Sequence, residues 1–335
     1  MGSDIGCNRR EVLGALAGAS LAAALPAGAA ADERKGGMLY RTFGRTGIQV
    51  SAIGLGGSHV GVPADENEGI RIVRTAIDHG ITFMDNCWDY HDGKSEVVMG
   101  KALRDGYRQK VFLMTKFDGR TKESTARQID ESLQRLQTDH IDLMQFHENI
   151  RMEDPDRFFA SGGPLEALEE AKKAGKIRFI GFTGHKDPIV HLRMLEMAAD
   201  RKFHFDSCQM PLNLLDAHFR SFEQNVLPKL VEQEIAVLGM KPLAEGEIPH
   251  SGVATAAECL HYALSLPTTV VINGCETLGR LEQALEAART FQPLTAEQLA
   301  ALRAKTRQVA MSGRLERFKT SNTFDGTAKN PQWMG

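Results

Sequence analysis

The sequence predicts an α/β chain folded as a single (β/α)8 TIM barrel with an N-terminal β-hairpin and an extra C-terminal helix. Three observations carry this. Short, almost wholly apolar runs alternate with helical patterns eight times along the chain, which argues for a parallel sheet. The runs lack a polar face, as expected of strands covered on both sides. Three of them end in an ionisable residue: Asp85 closes 81–85, Lys116 closes 111–116 and His147 closes 141–147. Strand ends that deliver such groups are where a parallel barrel builds its active site. An open doubly wound sheet would instead ask for G-x-G-x-x-G after its first strand; the glycines of 54–61 lack that spacing.

The elements follow in order. Residues 39–57 read as a hairpin turning at Gly44 to Gly47, then the first strand. Ile70, Val73 and Ile77 mark a helix face, and 83–85 the next strand. Residues 95–103 read as helix and 111–116 as strand; Ile129, Leu133 and Leu136 precede strand 141–146. Leu165, Leu168 and Ala171 lead to strand 179–183, and Leu192, Leu195 and Ala199 to strand 207–210. Val226, Leu230 and Ile235 bracket a helix before strand 236–240. Helix 253–264, strand 270–273 and helix 280–288 complete eight units. The extra helix, 295–311, opens on a capping sequence of Thr295 with Gln298. The barrel thus spans 38–312, and a polar tail, 313–335, lies over the surface or the barrel mouth.

The N-terminus stands apart. Arg9 and Arg10 precede a short Ala/Gly-rich apolar run, 12–25, then Pro26 and A-x-A patterns. This is the plan of a signal peptide, and the arginine pair points to the twin-arginine export machinery. Residues 1–31 are therefore expected to be removed, leaving an exported protein, periplasmic or extracellular, with no stable membrane span.

Composition is ordinary for a globular chain: 335 residues, 42% hydrophobic and 25% charged, net charge -3. Near-neutral charge without a basic stripe excludes nucleic acid as a partner. Cys7 would leave with the signal. Cys87, Cys208, Cys259 and Cys275 show neither C-x-x-C nor metal-ligand spacing. They read as small buried hydrophobes, and no metal is expected.

Asp85, Tyr90, Lys116 and His147 suit carbonyl reduction, which needs a proton donor beside a hydride donor. A phenol is a poor acid at neutral pH. A neighbouring ammonium, Lys116, would lower the pKa of Tyr90. Asp85 would hold Lys116 charged and placed, and His147 would polarise the substrate carbonyl.

The motifs bearing these residues resemble the aldo-keto reductase family. They are Asp85 and Tyr90 with Gly93, Ser95, Glu96 and Gly100, then Thr115-Lys116, the run 136–147, and the run 175–185. The resemblance covers about 39–288 and implies the same four catalytic roles, with NADP(H) or NAD(H) as cofactor. It places the nicotinamide carboxamide against Thr183 and Gln209. Gly184 stands where the family has Asn, so that contact would be lost or would move to His185 or Asn213. Met240 takes the place of the aromatic ring under the nicotinamide, and Lys241 is within reach of a pyrophosphate. At the adenine end it aligns Gly274 with the usual Lys and Arg280 with the adenine-side Arg. Gln283 lies on the same helix. Glu276 opposes a 2′-phosphate and Arg280 favours one, which leaves the cofactor open with a slight lean to NADP. His59, Trp88, His91, Glu148 and His185 are the candidate substrate contacts. Their polarity suggests a small carbonyl compound such as a sugar derivative.

Overall fold

The structure is a computed structural model and describes residues 32–335. The segment 1–31 expected to be a signal peptide, with Arg9 and Arg10, lies outside the described residues. Among the described residues no helix is long and apolar enough to cross a membrane.

Three short strands, β1 (Glu33–Lys35), β2 (Met38–Thr42) and β3 (Gln49–Ser51), pair antiparallel into a small sheet. The expected hairpin is β2–β3, and β1 adds a third strand upstream of residue 38. The barrel strands are β4 (Ile53–Gly56), β5 (Phe83–Met84), β6 (Phe112–Phe117), β7 (Ile141–Phe146), β8 (Ile177–Thr183), β9 (Ser207–Pro211), β10 (Ala236–Met240) and β11 (Val270–Gly274). They close in sequence order, each parallel to the next, and β11 returns to β4. All eight runs read from the sequence are barrel strands.

Side chains alternate across a strand, and that parity separates two cores. Ile53, Leu55, Met84, Leu113, Phe117, Met144, Phe146 and Val271 point outward to the helices. Phe83, Phe112, Met114, Leu143, Ala236, Leu238, Val270 and Ile272 point inward with Phe43 and Val50. Phe43, from the β2–β3 turn, closes the lower end of the barrel, its ring centroid 4.8 Å from Phe112 and 6.0 Å from Phe179. Counting on by twos from the inward positions, Phe83 leads to Asp85, Met114 to Lys116, Leu143 through Gln145 to His147, and Leu238 to Met240. The polar residues at the upper mouth are therefore the top layer of the same inward stack.

The helices carry their own start signals. Thr121 with Ser124, Thr255 with Glu258 and Thr295 with Gln298 form reciprocal caps. Because Thr255 is a cap, that helix runs Ala256–Ser265 rather than from 253. The helix expected around Val226 splits into Phe222–Asn225 and Leu227–Glu232, the second carrying a proline in its first turn. Gly100 lets the helix Lys94–Ala102 approach Lys122–Leu136 closely: a Cβ there would lie 2.4 Å from the carbonyl oxygen of Arg135.

The tail settles on the upper mouth. Lys319 is buried and binds Asp216 at 2.6 Å, the Phe219 carbonyl at 2.8 Å and Glu316 at 3.0 Å. Further on, the backbone N–H of Arg120 donates to the Met334 carbonyl at 2.7 Å. Cys87, Cys208, Cys259 and Cys275 are all buried and free.

Candidate active site

The mouth opens into a cavity of about 600 Å³. Asp85, Tyr90, Lys116 and His147 share one wall of it. Lys116 is only 1% exposed and makes an ion pair with the Asp85 carboxylate. Its ammonium also donates to the Asn86 carbonyl at 2.7 Å and to the Tyr90 hydroxyl at 3.3 Å. The other Asp85 oxygen accepts from the Gln209 amide at 3.1 Å. One chain of contacts thus links Gln209, Asp85, Lys116 and Tyr90.

The motif around Tyr90 supports this placement. Gly93 takes a left-handed φ of 84° at the cap of helix Lys94–Ala102, a conformation glycine adopts without strain. Glu96 is fully buried and accepts from Thr115, the neighbour of Lys116 on β6, at 2.6 Å.

The electrostatics correct one expectation. Tyr90 does not end up more acidic than an ordinary phenol; its pKa is pushed well above the usual value, by burial first and then by Asp85, Cys87 and Asp89. The ammonium is matched by Asp85, so the ring sees an ion pair rather than a bare cation. The pKa of His147 also rises, for a different reason. Burial alone would depress the imidazole, but the Asp118 and Asp89 carboxylates outweigh it and its pKa is raised. Its Nδ1 lies 2.9 Å from Asp118 Oδ1 and 3.3 Å from Cys87 Sγ. Burial and the Asp118 charge push the Asp89 carboxyl up to about 6.

The expected cofactor residues Thr183, Gln209, Met240, Lys241, Gly274, Arg280 and Gln283 all line the cavity. Gln209 Oε1 is a buried acceptor without a partner. Gly184 has no room for a side chain: a Cβ would fall 2.3 Å from the Asn149 carbonyl oxygen. Asn213 supplies no spare amide contact, whereas His185 commits only its Nε2. Asn213 spends its side chain on the Lys241 carbonyl, Glu316 and two backbone N–H groups. His185 binds Asp325 at 3.0 Å. Gly274 likewise admits nothing larger, because His59 stands over it, 2.0 Å from where a Cβ would be. Lys241 is not a free solvated charge; it pairs with Glu245 and sits 4.7 Å from the Phe324 ring centre. Arg280 and Glu276 are 4.0 Å apart at the start of helix Leu278–Thr290.

The substrate candidates divide. His59, His185 and Glu148 line the cavity. The Glu148 carboxylate, however, is occupied by the tail, accepting from the N–H groups of Gly326 at 2.6 Å and Thr327 at 2.7 Å. Trp88 faces away: its indole donates to Glu131 at 2.6 Å and its ring meets Trp333 edge-on at 5.6 Å. His91 is exposed and bonds the Ser58 carbonyl at 2.7 Å. Long loops bring in residues that strand ends did not mark: Asp89, Glu245, and Thr323, Phe324 and Lys329 of the tail. Asp118 carried a usable signal, since it lies two residues beyond Lys116 and keeps the inward parity.

Residues 52–251 match the model of the aldo/keto reductase family. The chain is 33% identical over 224 residues to the aldo-keto reductase YhdN of Bacillus subtilis, covering 62% of this chain and 63% of that protein. It is 32% identical over 232 residues to L-galactose dehydrogenase of Arabidopsis thaliana, covering 63% and 67%. The match to YhdN therefore spans less than two thirds of that relative's length. Among solved structures, an aldo-keto reductase from Bacillus halodurans in its holo form superposes with a TM-score of 0.68 at 24% identity, over 80% of this chain and 96% of that one. At that identity the likeness speaks to the barrel alone. With the family model matched across the strands that carry Asp85, Tyr90, Lys116 and His147, the chain belongs to the aldo/keto reductase family.

Proposed function

We propose that this protein is an NAD(P)(H)-dependent oxidoreductase that reduces an aldehyde or ketone to an alcohol, with Tyr90 as proton donor. One observation carries the reading: Lys116 touches Asp85 and the Tyr90 hydroxyl at once, inside a cavity whose wall also holds His147. A nicotinamide suits the same cavity. Gln209 Oε1 lacks a donor, which a carboxamide N–H supplies, and Thr183 adds a hydroxyl on the same side. Met240 offers a polarizable surface, with Lys241, Gly274, Arg280 and Gln283 along the arm beyond. When bound, the reduced nicotinamide supplies the hydride.

The chain's own residues handle the proton. The Tyr90 phenol stays neutral until a carbonyl oxygen gains charge, then passes its proton to that oxygen. Lys116, 3.3 Å away, stabilises the phenolate left behind, and Asp85 keeps the ammonium in place. His147 has Nδ1 engaged with Asp118, which leaves Nε2 to orient the carbonyl. Purified protein should oxidise NADPH with simple aldehydes and keto-sugars, and Tyr90→Phe should abolish this while still binding nucleotide. Nucleotide binding without turnover in the parent protein would instead favour a binding role, which the missing amide at Gly184 supports.

A sugar-like carbonyl is the favoured substrate, on the polarity of His59 and His185 and on the likeness to L-galactose dehydrogenase. NADP(H) is favoured slightly over NAD(H), because Arg280 presents a cation at a helix start although Glu276 opposes it. Export by the twin-arginine route rests on Arg9 and Arg10. Cell fractionation of the parent and of a double Lys variant at these positions tests it; retention of both in the cytoplasm would end the idea.

A further inference from the structure

We propose that Cys87, Asp89, Asp118 and His147 form a binding site for a zinc-class divalent cation behind the catalytic imidazole. The four residues come from three successive strand-to-helix loops, after β5, β6 and β7. One donor atom from each lies within 4.8 Å of all the others. Around His147 Nδ1 the separations are 2.9 Å to Asp118 Oδ1, 3.3 Å to Cys87 Sγ and 3.8 Å to Asp89 Oδ1. A tetrahedral ion bound at ~2.0–2.3 Å to each ligand places its donors about 3.3–3.8 Å apart. Only small shifts separate the two geometries.

The cluster is otherwise poorly satisfied. Nδ1 can donate one hydrogen, yet two carboxylates and a thiol sulfur crowd around it. Asp89 Oδ1 and Asp118 Oδ2 are buried with no partner, and Asp118 and Cys87 are fully buried. A buried carboxylate oxygen without a partner is costly. Neighbouring cations are already engaged. Lys116 is matched by Asp85. Arg120 pairs with Asp154 and donates to the carbonyls of Asp118, His147 and Glu148. A cation at the centre would answer all four donors together. Mixed sulfur, nitrogen and oxygen ligands suit zinc rather than magnesium or calcium. Starting from the imidazolium, binding releases the Cys87 thiol proton and the Nδ1 proton to solvent, and Nε2 keeps its own hydrogen. With Nδ1 on the metal, the neutral imidazole carries its hydrogen on Nε2 and presents a donor to the cavity.

The test uses the full chain, stripped with chelator and titrated with Co²⁺ and Zn²⁺. We expect one equivalent of Co²⁺ to give the near-ultraviolet band of thiolate–cobalt charge transfer, with Zn²⁺ displacing it. Cys87→Ser should remove the band, and Asp89→Asn should weaken binding at least about tenfold. Cys259→Ser, remote from the cluster, should retain it. The parent titration needs no variant to fold. No charge-transfer band and no stoichiometric zinc in the parent protein would overturn the site. So would binding unchanged in both Cys87→Ser and Asp89→Asn.

Discussion

The two sides of the cavity are built differently. The wall that carries Asp85, Tyr90, Lys116 and His147 is closed and self-supporting: Asp85 and Lys116 are 3% and 1% exposed, and each already has partners within the protein. The arm that would receive the cofactor is open. Arg280 and Glu276 expose 53% and 41% of their side chains, and Gln209 Oε1 is left over as an acceptor. Both sides start from barrel strands, with Thr183, Gln209, Met240 and Gly274 on β8, β9, β10 and β11; they differ further out, where Arg280 and Glu276 stand at an exposed helix start. A site can thus keep its acid–base machinery fixed while its cofactor contacts vary.

Substitutions can break or sharpen that contrast. The largest effect is expected at Tyr90→Phe: kcat should fall about 10²–10⁴-fold, with nucleotide affinity retained in a fluorescence titration. Equal loss of both would mean the wall and the arm are not separable. Next is Lys116→Met, which leaves Asp85 buried without its cation; a loss of about 3–5 kcal/mol is expected in urea denaturation. A change under about 1 kcal/mol would deny that the wall supports itself.

A smaller effect lies behind the arm. His191 packs between Phe182 and Phe222, and burial lowers its pKa from 6.5 to about 3. The unfolded chain therefore binds this proton more readily than the folded one. The stability this contributes is complete above pH 6.5 and is lost as pH falls toward 3, with a slope of at most ~1.4 kcal/mol per pH unit. His191→Phe should flatten this acid limb in denaturation series between pH 6.5 and 4. Smallest is Arg280→Ala, an exposed charge. NADPH affinity should drop about tenfold, the value of one charge-assisted contact, while NADH affinity holds. Equal effects on both nucleotides would remove the 2′-phosphate from the argument.

Strand existence was plain in the sequence because fully covered strands are apolar runs bounded by turns, and Asp85, Lys116 and His147 interrupt such runs at their ends. Trp88 and His91 misled for the opposite reason. They sit in a polar loop, where composition says nothing about direction, and they turn to Glu131 and to Ser58. Glu148 faces the cavity but serves the tail. The acidity of Tyr90 was misjudged because the sequence shows Lys116 and Asp85 beside it but not how deeply the phenol is buried; burial first, then Asp85, pushes the pKa up.

The sequence by itself determined the barrel, its eight strands, the capped helix that follows them and the strand-end placement of Asp85, Lys116 and His147. Each follows from local periodicity or from a residue's position at a strand end; Tyr90, in a loop, was marked by the family motif alone. Only the tertiary structure decided which groups meet across loops far apart in the chain. Gly184 and Gly274 are forced by Asn149 and His59. The tail supplies Phe324 and Lys329 to the mouth. Cys87, Asp89 and Asp118 gather behind His147 although no linear spacing announces them. Closure of the barrel brings the loops after β5, β6 and β7 side by side, and that adjacency exists only once the sheet has curved onto itself.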